Sequence, residues 1–329
     1  MRLVIKKNIL RLLRAIYWKI SSLSLKRTVK QTKQIEKFVE LRDQDANDYI
    51  RDLLYSGKPC LISKFGGFEL SALEQYKSLQ QSSYSWKDFY EYISLKRNTL
   101  WWPKGIDGLC QNAGFFPNDF SLLEKYYDVN MDAIRQIDVL GSYLPMEKFF
   151  EDELLDAKRV NLDGYYAPFL FAKPWTSVLL GKKVLVVHPF DKDIEKQYAR
   201  RSLILDNKDV LPEFTLITYK TVQSMLGIKT PYKDWFAALE KMKQDIAQID
   251  FDVALVGCGA YGMPLAAHIK KKGKQAVHLA GWTQVLFGIL GKRWEDDPRM
   301  QKYINSYWIH PSPEYVPAEA EKIERGCYW

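Results

Sequence analysis

Short apolar segments alternate with amphipathic helical segments through most of this chain, and this alternation limits the possible folds more than any other feature. The clearest apolar segment, KKVLVVHPF at 182–190, is short and rich in β-branched residues, as a strand buried on both faces would be. Strands alternating with helices of this length predict an α/β fold with a Rossmann-like, doubly wound, mostly parallel sheet. The predicted strands are 59–65, 137–143, 182–190, 214–219, 252–257 and 275–281.

Changes in composition divide the chain into three parts. Residues 1–45 are predicted to form a basic amphipathic helix and a connector, and residues 46–295 the Rossmann-like domain. Within that domain, 80–130 is irregular and rich in aromatic residues, which indicates an insertion or a lid beside a cleft; aromatic packing in the core is the alternative. Residues 296–329 are expected to pack on the domain as a C-terminal tail.

The positive charge is concentrated in the N-terminal arm. Residues 1–35 contain ten Lys or Arg and no Asp or Glu, and the rest of the chain holds 38 basic and 40 acidic residues. A nearly neutral body argues against nucleic acid as a partner. Helical spacing puts Lys7, Arg11 and Arg14 on one face of the arm. Apolar residues fall on the other: Ile9, Leu12, Leu13, Ile16 and Ile20.

This pattern predicts a helix lying on an anionic membrane surface, with its basic groups attracted to the headgroups. No stretch is apolar enough to span a bilayer, and no signal-peptide pattern is present. The four cysteines lack a C-x-x-C pair and are expected to be reduced. We therefore expect a cytoplasmic protein held peripherally at the inner face of the membrane; a helix docked on the protein or on a partner is the alternative.

A glycine-rich turn, GCGAYG at 257–262, follows a predicted strand and opens a predicted helix. Such a turn can present backbone N–H groups to a phosphate, and its candidate binding residues are Gly257, Gly259, Ala260, Tyr261 and Gly262. A dinucleotide site would need an acid at the end of the next strand, where 277–282 has none, so NAD is not expected. The turn is also similar to the motif that cradles S-adenosylmethionine in methyltransferases, and a packing turn with no ligand is a further alternative.

Two other segments are expected at the same edge of the sheet. GWTQVLFGILGKRW at 281–294 supplies Gly281, Gln284 and Arg293 as candidates for binding a nucleotide diphosphate, with the arginine as a bidentate partner. SKFGGFEL at 63–70 brings Gly66 and Glu69 to the end of the first strand. Glu69 is also the kind of acid that the first turn of any helix favours.

The first-strand segment resembles that of the bacterial GT-D fold glycosyltransferases, whose first strand ends in an R-F-G-D-G-E-like turn. The resemblance continues through VHPF, GCGAYG and FGILGKRW and extends over residues 50–295. It implies donor-binding roles for Lys64, in place of the family arginine, and for Gly67, in place of an aspartate. In the family, the aspartate and the glutamate bind a divalent metal, so Glu69 remains as a ligand for Mn²⁺ or Mg²⁺. Loop acids at Asp163, Asp191 and Asp193 are candidates to replace the missing carboxylate.

The resemblance and the turn together predict a glycosyltransferase. It would move a sugar from a nucleotide-diphosphate donor to a cell-surface glycan or a lipid-linked acceptor. Catalysis needs a base for the acceptor hydroxyl, and Glu69, Asp163 and His188 are the candidates by position. A Rossmann-type methyltransferase and a non-catalytic nucleotide-binding scaffold are the alternative predictions.

Overall fold

A seven-stranded parallel sheet forms the centre of the structure, a computed structural model that describes residues 2–22, 38–323 and 326–329. The strands are β1 (Cys60–Ser63), β2 (Val139–Gly141), β3 (Lys158–Val160), β4 (Lys183–His188), β5 (Thr215–Lys220), β6 (Val253–Val256) and β7 (Gln275–Val277). Their order is β3-β2-β1-β7-β6-β4-β5, and every neighbouring pair is parallel. The predicted Rossmann-like α/β sheet is therefore confirmed. β3 is the strand that the sequence pattern missed.

Twelve α-helices lie in the described residues, most of them between strands. They are α1 (Arg2–Ser22), α2 (Asp43–Tyr55), α3 (Gly67–Leu79), α4 (Trp86–Ile93), α5 (Asp107–Ala113), α6 (Leu123–Ile134), α7 (Leu162–Tyr166), α8 (Asp191–Ala199), α9 (Trp235–Ile246), α10 (Gly262–Lys271), α11 (Trp282–Leu286) and α12 (Lys292–Glu295). Capping residues fix where some of them begin: the Asp234 side chain accepts from the backbone N–H of Ala237 and starts α9.

The chain winds the sheet in two directions. From β1 it proceeds outward through β2 to β3, and it then crosses to the other half of the sheet. There β4 is followed outward by β5, whereas β6 is followed inward by β7, which pairs with β1. The connections after the neighbouring strands β4 and β6 thus run in opposite directions. A ligand crevice forms at such a switch point, outside the carboxyl ends of the strands.

Both faces of the sheet are buried by apolar layers. In β4, Leu185 and Val187 belong to one hydrophobic cluster, and Val184 and Val186 belong to the other. This alternation follows from the two-residue period of a strand. Each such side chain stabilises the fold by about 1.5–3 kcal/mol relative to leaving it exposed. The sheet is therefore a rigid support for the loops at its carboxyl edge.

The N-terminal helix α1 packs on the aromatic segment 80–130. Tyr92, Leu100 and Trp102 form a separate small core, against which Leu10 of α1 packs. Arg14 of α1 donates to the backbone carbonyls of Tyr92 and Arg97, at 2.5 and 2.6 Å. The basic face that was expected to meet lipid therefore contacts the protein. Most of the predicted connector, residues 23–37, lies outside the described residues.

The C-terminal tail packs on the domain. Met300, Trp308 and Tyr315 are buried in the same hydrophobic cluster as one face of the sheet. Ile289 forms a parallel bridge with Ile309, which joins the tail to the segment before α12. No helix in the described part of the chain is long and apolar enough to cross a bilayer. The proposed domain boundaries stay predictions.

Candidate functional site

A cleft of about 410 Å³ crosses the carboxyl edge of the sheet. Six of the seven strands contribute to it, each by its last residue or by the loop that follows. The contributing residues include Tyr143 after β2, Lys64 after β1, His278 after β7, Gly257 after β6, His188 at the end of β4 and Thr221 after β5. The cleft covers the switch point between β4 and β6, where a ligand site is expected in a doubly wound sheet.

The loop after β1 holds a carboxylate against a glycine. Gly66 is the N-cap of α3, and a Cβ built on it would lie 2.0 Å from Oε2 of Glu69. A side chain at position 66 would require the carboxylate of Glu69 to move. The Tyr143 hydroxyl donates to the carbonyl oxygen of Phe65 at 2.7 Å and fixes the loop from the neighbouring strand. Glu69 is therefore positioned at the rim of the cleft by the residues beside it.

Two cations share this part of the cleft with Glu69. The Lys64 ammonium lies 5.4 Å from the centre of the Tyr143 ring, and the Arg293 guanidinium lies 5.2 Å from that of Tyr328. Burial raises the pKa of Tyr143 well above its usual range, the charge of Glu69 raises it further, and Arg293 opposes this. The Tyr143 hydroxyl is therefore close enough to both Glu69 and Arg293 for their charges to affect it. Among the described residues, Glu69 is the one carboxylate that lines the cleft.

Close packing against backbone or side-chain atoms accounts for each glycine of the GCGAYG turn. A Cβ on Gly257 would lie 2.5 Å from the carbonyl oxygen of Ala280, and one on Gly262 would lie 2.2 Å from Nε2 of His278. Gly259 has a φ of +57° and lies against the carbonyl of Ala113. The packing interpretation of this turn explains its glycines without a ligand. Gly257 and Gly259 nevertheless line the cleft, while Gly262 lies behind it.

The remaining residues of the turn belong to the core. Tyr261 is buried and stacks on Trp235, with ring centres 5.2 Å apart, and its hydroxyl lies 3.2 Å from that of Ser224. It borders the cleft but offers no open face for a base or sugar. Ala260 is buried and does not line the cleft. The predicted donor contact through Ala260 is therefore not supported.

Two neutral histidines lie in the cleft wall. The backbone N–H of Phe190 donates to Nδ1 of His188 at 3.1 Å, so the neutral ring carries its hydrogen on Nε2. Burial lowers the pKa of His188 to about 3. Such a group is a weak base near pH 7, and the geometry favours it as a hydrogen-bond donor over the predicted role of catalytic base. Burial, and then the charge of Lys64, lower the pKa of His278 to about 3 as well.

The segment 281–294 and the chain end form one wall together. The Gln284 amide donates to the backbone carbonyl of Tyr328 at 3.0 Å, and a Cβ on Gly281 would lie 2.6 Å from the Tyr328 ring. Both predicted residues line the cleft, but Gln284 is buried and holds the wall in place. Arg293 projects from this wall and donates to the Cys327 sulfur at 3.4 Å.

Three predicted acids lie outside the cleft lining. Asp163 accepts hydrogen bonds from Arg299 at 2.8 Å and from the Tyr166 hydroxyl at 3.1 Å, which holds it away from the cleft. Asp191 accepts from a tyrosine of the tail, and Asp193 binds the backbone and hydroxyl of a tail serine. The structure therefore does not bring Asp163 into the cleft, and none of the three acids joins Glu69 in its lining. Within the described residues, no three His, Cys, Asp or Glu side chains cluster as a metal site.

Several lining residues were not predicted from the sequence. Tyr143 is the last residue of a predicted strand, so the rule that ligands meet the carboxyl ends of strands would have found it. Gln223 lies after β5 at the same edge, and its buried amide nitrogen has no hydrogen-bond partner in the described structure. Tyr328 and Trp329 reach the cleft through tertiary packing alone, and no local sequence signal marks them.

Comparison with known proteins adds no further constraint on this site. No protein-family model, no curated protein and no solved structure matches the chain. The function is therefore argued from the chemistry of the cleft itself.

Proposed function

We propose that this protein is a glycosyltransferase that takes its sugar from a nucleotide-diphosphate donor bound in the cleft. One observation carries the proposal: Lys64, Arg293 and Glu69, the one Asp or Glu in the described lining, share the cleft at the carboxyl edge of the sheet with the N-terminus of α3. Cations and a helix N-terminus favour an anionic ligand. The carboxylate is the group that such a reaction needs in addition.

The cationic side of the cleft suits the leaving group. When the bond from the anomeric carbon to the diphosphate breaks, negative charge grows on the departing phosphate oxygens. Arg293 can bind two of these oxygens through its planar fork, and Lys64 supplies a second positive charge from the loop after β1. Groups already oriented toward developing charge stabilise the transition state most strongly.

Glu69 is the residue that we assign to the acceptor. It would accept the proton of the attacking hydroxyl as the new glycosidic bond forms, and a carboxylate held beside the reacting atoms is a common general base. His188, as a neutral Nε2–H donor, is suited to orient a hydroxyl or a phosphate oxygen rather than to take a proton. The two residues therefore have different roles in this scheme.

A divalent metal is not part of this mechanism. Mg²⁺ and Mn²⁺ prefer several oxygen ligands, and Glu69 is the one carboxylate of the lining in the described residues. The residues present do not form a protein-held metal site, so neutralisation of the diphosphate is assigned to Lys64 and Arg293.

The cleft bears differently on the two alternatives, the methyltransferase and the non-catalytic scaffold. A methyltransferase would place S-adenosylmethionine over the GCGAYG turn, but the residue after β7 is the buried His278 rather than an acid that binds the ribose. A non-catalytic scaffold is consistent with glycine at position 67, where the resembling family has an aspartate.

We propose a cell-surface glycan or lipid-linked acceptor and a position at the cytoplasmic face of the membrane, because the basic arm favours contact with an anionic surface.

Nucleotide binding by the full-length chain tests the proposal. Thermal unfolding is compared for UDP, GDP, CDP, NAD and S-adenosylmethionine, each with and without Mn²⁺. A ligand at about 100 times its Kd adds about 2.7 kcal/mol, which raises the Tm of a chain of this size by about 4 °C. Arg293→Ala should lose the shift. Arg299→Ala should keep it, because Arg299 binds Asp163 outside the cleft.

Turnover separates binding from catalysis. Glu69→Gln should still bind the nucleotide but release no sugar from the donor, as measured by nucleotide-diphosphate formation. A shift with S-adenosylmethionine alone would support the methyltransferase. Binding without turnover in the wild type for every donor tried would support the scaffold, and no shift with any nucleotide would overturn the proposal.

A further inference from the structure

Helix α1 (Arg2–Ser22) is attached to the body by its basic face. Arg14 binds two backbone carbonyls of the insertion, and its guanidinium lies 4.6 Å from the centre of the Tyr92 ring. Lys7 and Arg11 lie 5.7 and 6.0 Å from the centre of the Trp102 ring. These contacts fix which side of the helix faces the protein.

The opposite face is apolar and exposed. Five of its side chains are between 42% and 66% exposed: Ile9, Leu12, Leu13, Ile16 and Ile20. At about 100° per residue they fall within an arc of about 100°, centred opposite Arg14. A surface helix normally turns this stripe toward the core. A contiguous exposed apolar patch of this kind marks an interaction surface.

We infer that this apolar face of α1 inserts into the interface of a lipid bilayer that contains anionic lipid, with the helix lying between the membrane and the body. The inference does not depend on the proposed transferase activity. The sequence predicted that the basic groups of the helix are attracted to the headgroups; in this arrangement Lys7, Arg11 and Arg14 face the protein and the apolar face meets the lipid.

The positive charge of the N-terminal arm favours a lipid surface as the partner that covers the apolar face of α1. Residues 1–35 contain ten basic and no acidic residues, so the whole arm complements an anionic surface. Lys6 and Lys19 are exposed and fall at the two borders of the apolar arc, where lysine stems can lie along the acyl boundary while the ammonium groups reach phosphates.

The inserted helix would bring the cleft to the membrane. The insertion that binds α1 continues into α5, and Asn112, Ala113 and Gly114 at the end of α5 line the cleft. One packed segment thus joins the membrane-facing helix to the rim of the site. An acceptor that resides in the bilayer would reach such a rim directly.

Vesicle flotation with the full-length chain tests the inference. We expect binding to phosphatidylcholine vesicles that strengthens when phosphatidylglycerol is included. The double variant L12S/I16S should bind at least about tenfold more weakly, because two apolar side chains no longer leave water. The control L155S/L180S, which changes two equally exposed leucines outside α1, should bind like the wild type.

Other results would overturn the inference. These are no binding to either vesicle, unchanged binding by L12S/I16S, or a concentration-dependent dimer in sedimentation that the same variant abolishes. The last result would mean that a second copy covers the face. Because none of the substituted residues lines the cleft, nucleotide binding should be unchanged in all of these variants, which separates failure here from failure of the proposed activity.

Discussion

Substitution of Gly262 by alanine tests whether packing fixes the glycine turn. The new Cβ would lie 2.2 Å from Nε2 and 2.5 Å from Cδ2 of His278. The imidazole cannot move away easily, because it is buried and its Nδ1 lies 3.0 Å from the Ser63 hydroxyl. Overpacking of this kind costs about 1–3 kcal/mol. We therefore expect Gly262→Ala to lower the free energy of unfolding by that amount.

The expected shift is measurable in a chain of 329 residues. Such a chain unfolds with an entropy of about 0.7 kcal/mol per kelvin, so the loss corresponds to a fall in Tm of about 1.5–4 °C. Urea unfolding, followed by circular dichroism, should show a lower midpoint with an unchanged slope. Gly67→Ala is the matched control: its Cβ meets nothing within 4 Å, and we expect it to be neutral or stabilising by up to about 1 kcal/mol.

A double-mutant cycle identifies the clashing partner. His278→Ala alone should destabilise the protein, because it leaves a cavity and removes the contact with Ser63. In the Gly262→Ala, His278→Ala double variant, the new methyl group occupies part of that cavity. The double variant should therefore lose less free energy of unfolding than the sum of the two single variants, by about 1–3 kcal/mol. Additive losses, or a neutral Gly262→Ala, would refute the packing explanation of this glycine.

Three further predictions follow from the site and from α1. Gly67→Asp adds a carboxylate two residues before Glu69, and we expect calorimetry to detect Mn²⁺ binding that Gly67→Asn lacks. The pKa of His188 is lowered to about 3 in the folded protein, whereas the unfolded chain has a histidine pKa of about 6.5. The unfolded state therefore binds one more proton between these pH values. The free energy of unfolding should fall as the pH drops from about 6.5 toward 3, by up to about 1.4 kcal/mol per pH unit. The buried Glu74 and Glu147, whose pKa values are raised, act in the opposite direction, so the wild type is compared with His188→Gln. The urea midpoint of His188→Gln should change less between about pH 7 and pH 5. An equal change of the midpoint with pH in both proteins would contradict the prediction. Arg14→Ala should release α1 from the insertion, so hydrogen exchange should speed up in α1 while the sheet stays protected.

Local patterns were sufficient to predict most of the sheet. The strands β4 and β6 are short, apolar and buried on both faces, and the helices between them are long enough to cross the sheet. β3 was missed because its three residues, Lys158 to Val160, include two cations and give no apolar run. The position of the cleft also followed from the sequence, since the carboxyl ends of parallel strands meet at one edge.

The contacts between distant segments were not predictable in the same way. Asp163 was expected in the cleft as a loop acid, but an ion pair with Arg299, 136 residues away, holds it elsewhere. His188 was correctly placed at the end of its strand, while its depth of burial, which makes it a poor base, depends on the whole fold. The wall built by Tyr328 is a tertiary contact with no local signal.

The seam between β1 and β7 has a consequence for how the protein folds. Strands β1 to β3 come from one continuous stretch and β4 to β7 from a later one, and the pairing of Cys60 with Gln275 joins positions about 215 residues apart. Closing so long a loop is slow, so each half is expected to form before the seam does. Lys64 and Glu69 lie on one side of that seam and Gly257 on the other. A ligand that spans the cleft therefore binds only the completed sheet, and it draws partly folded chains toward the native state by mass action.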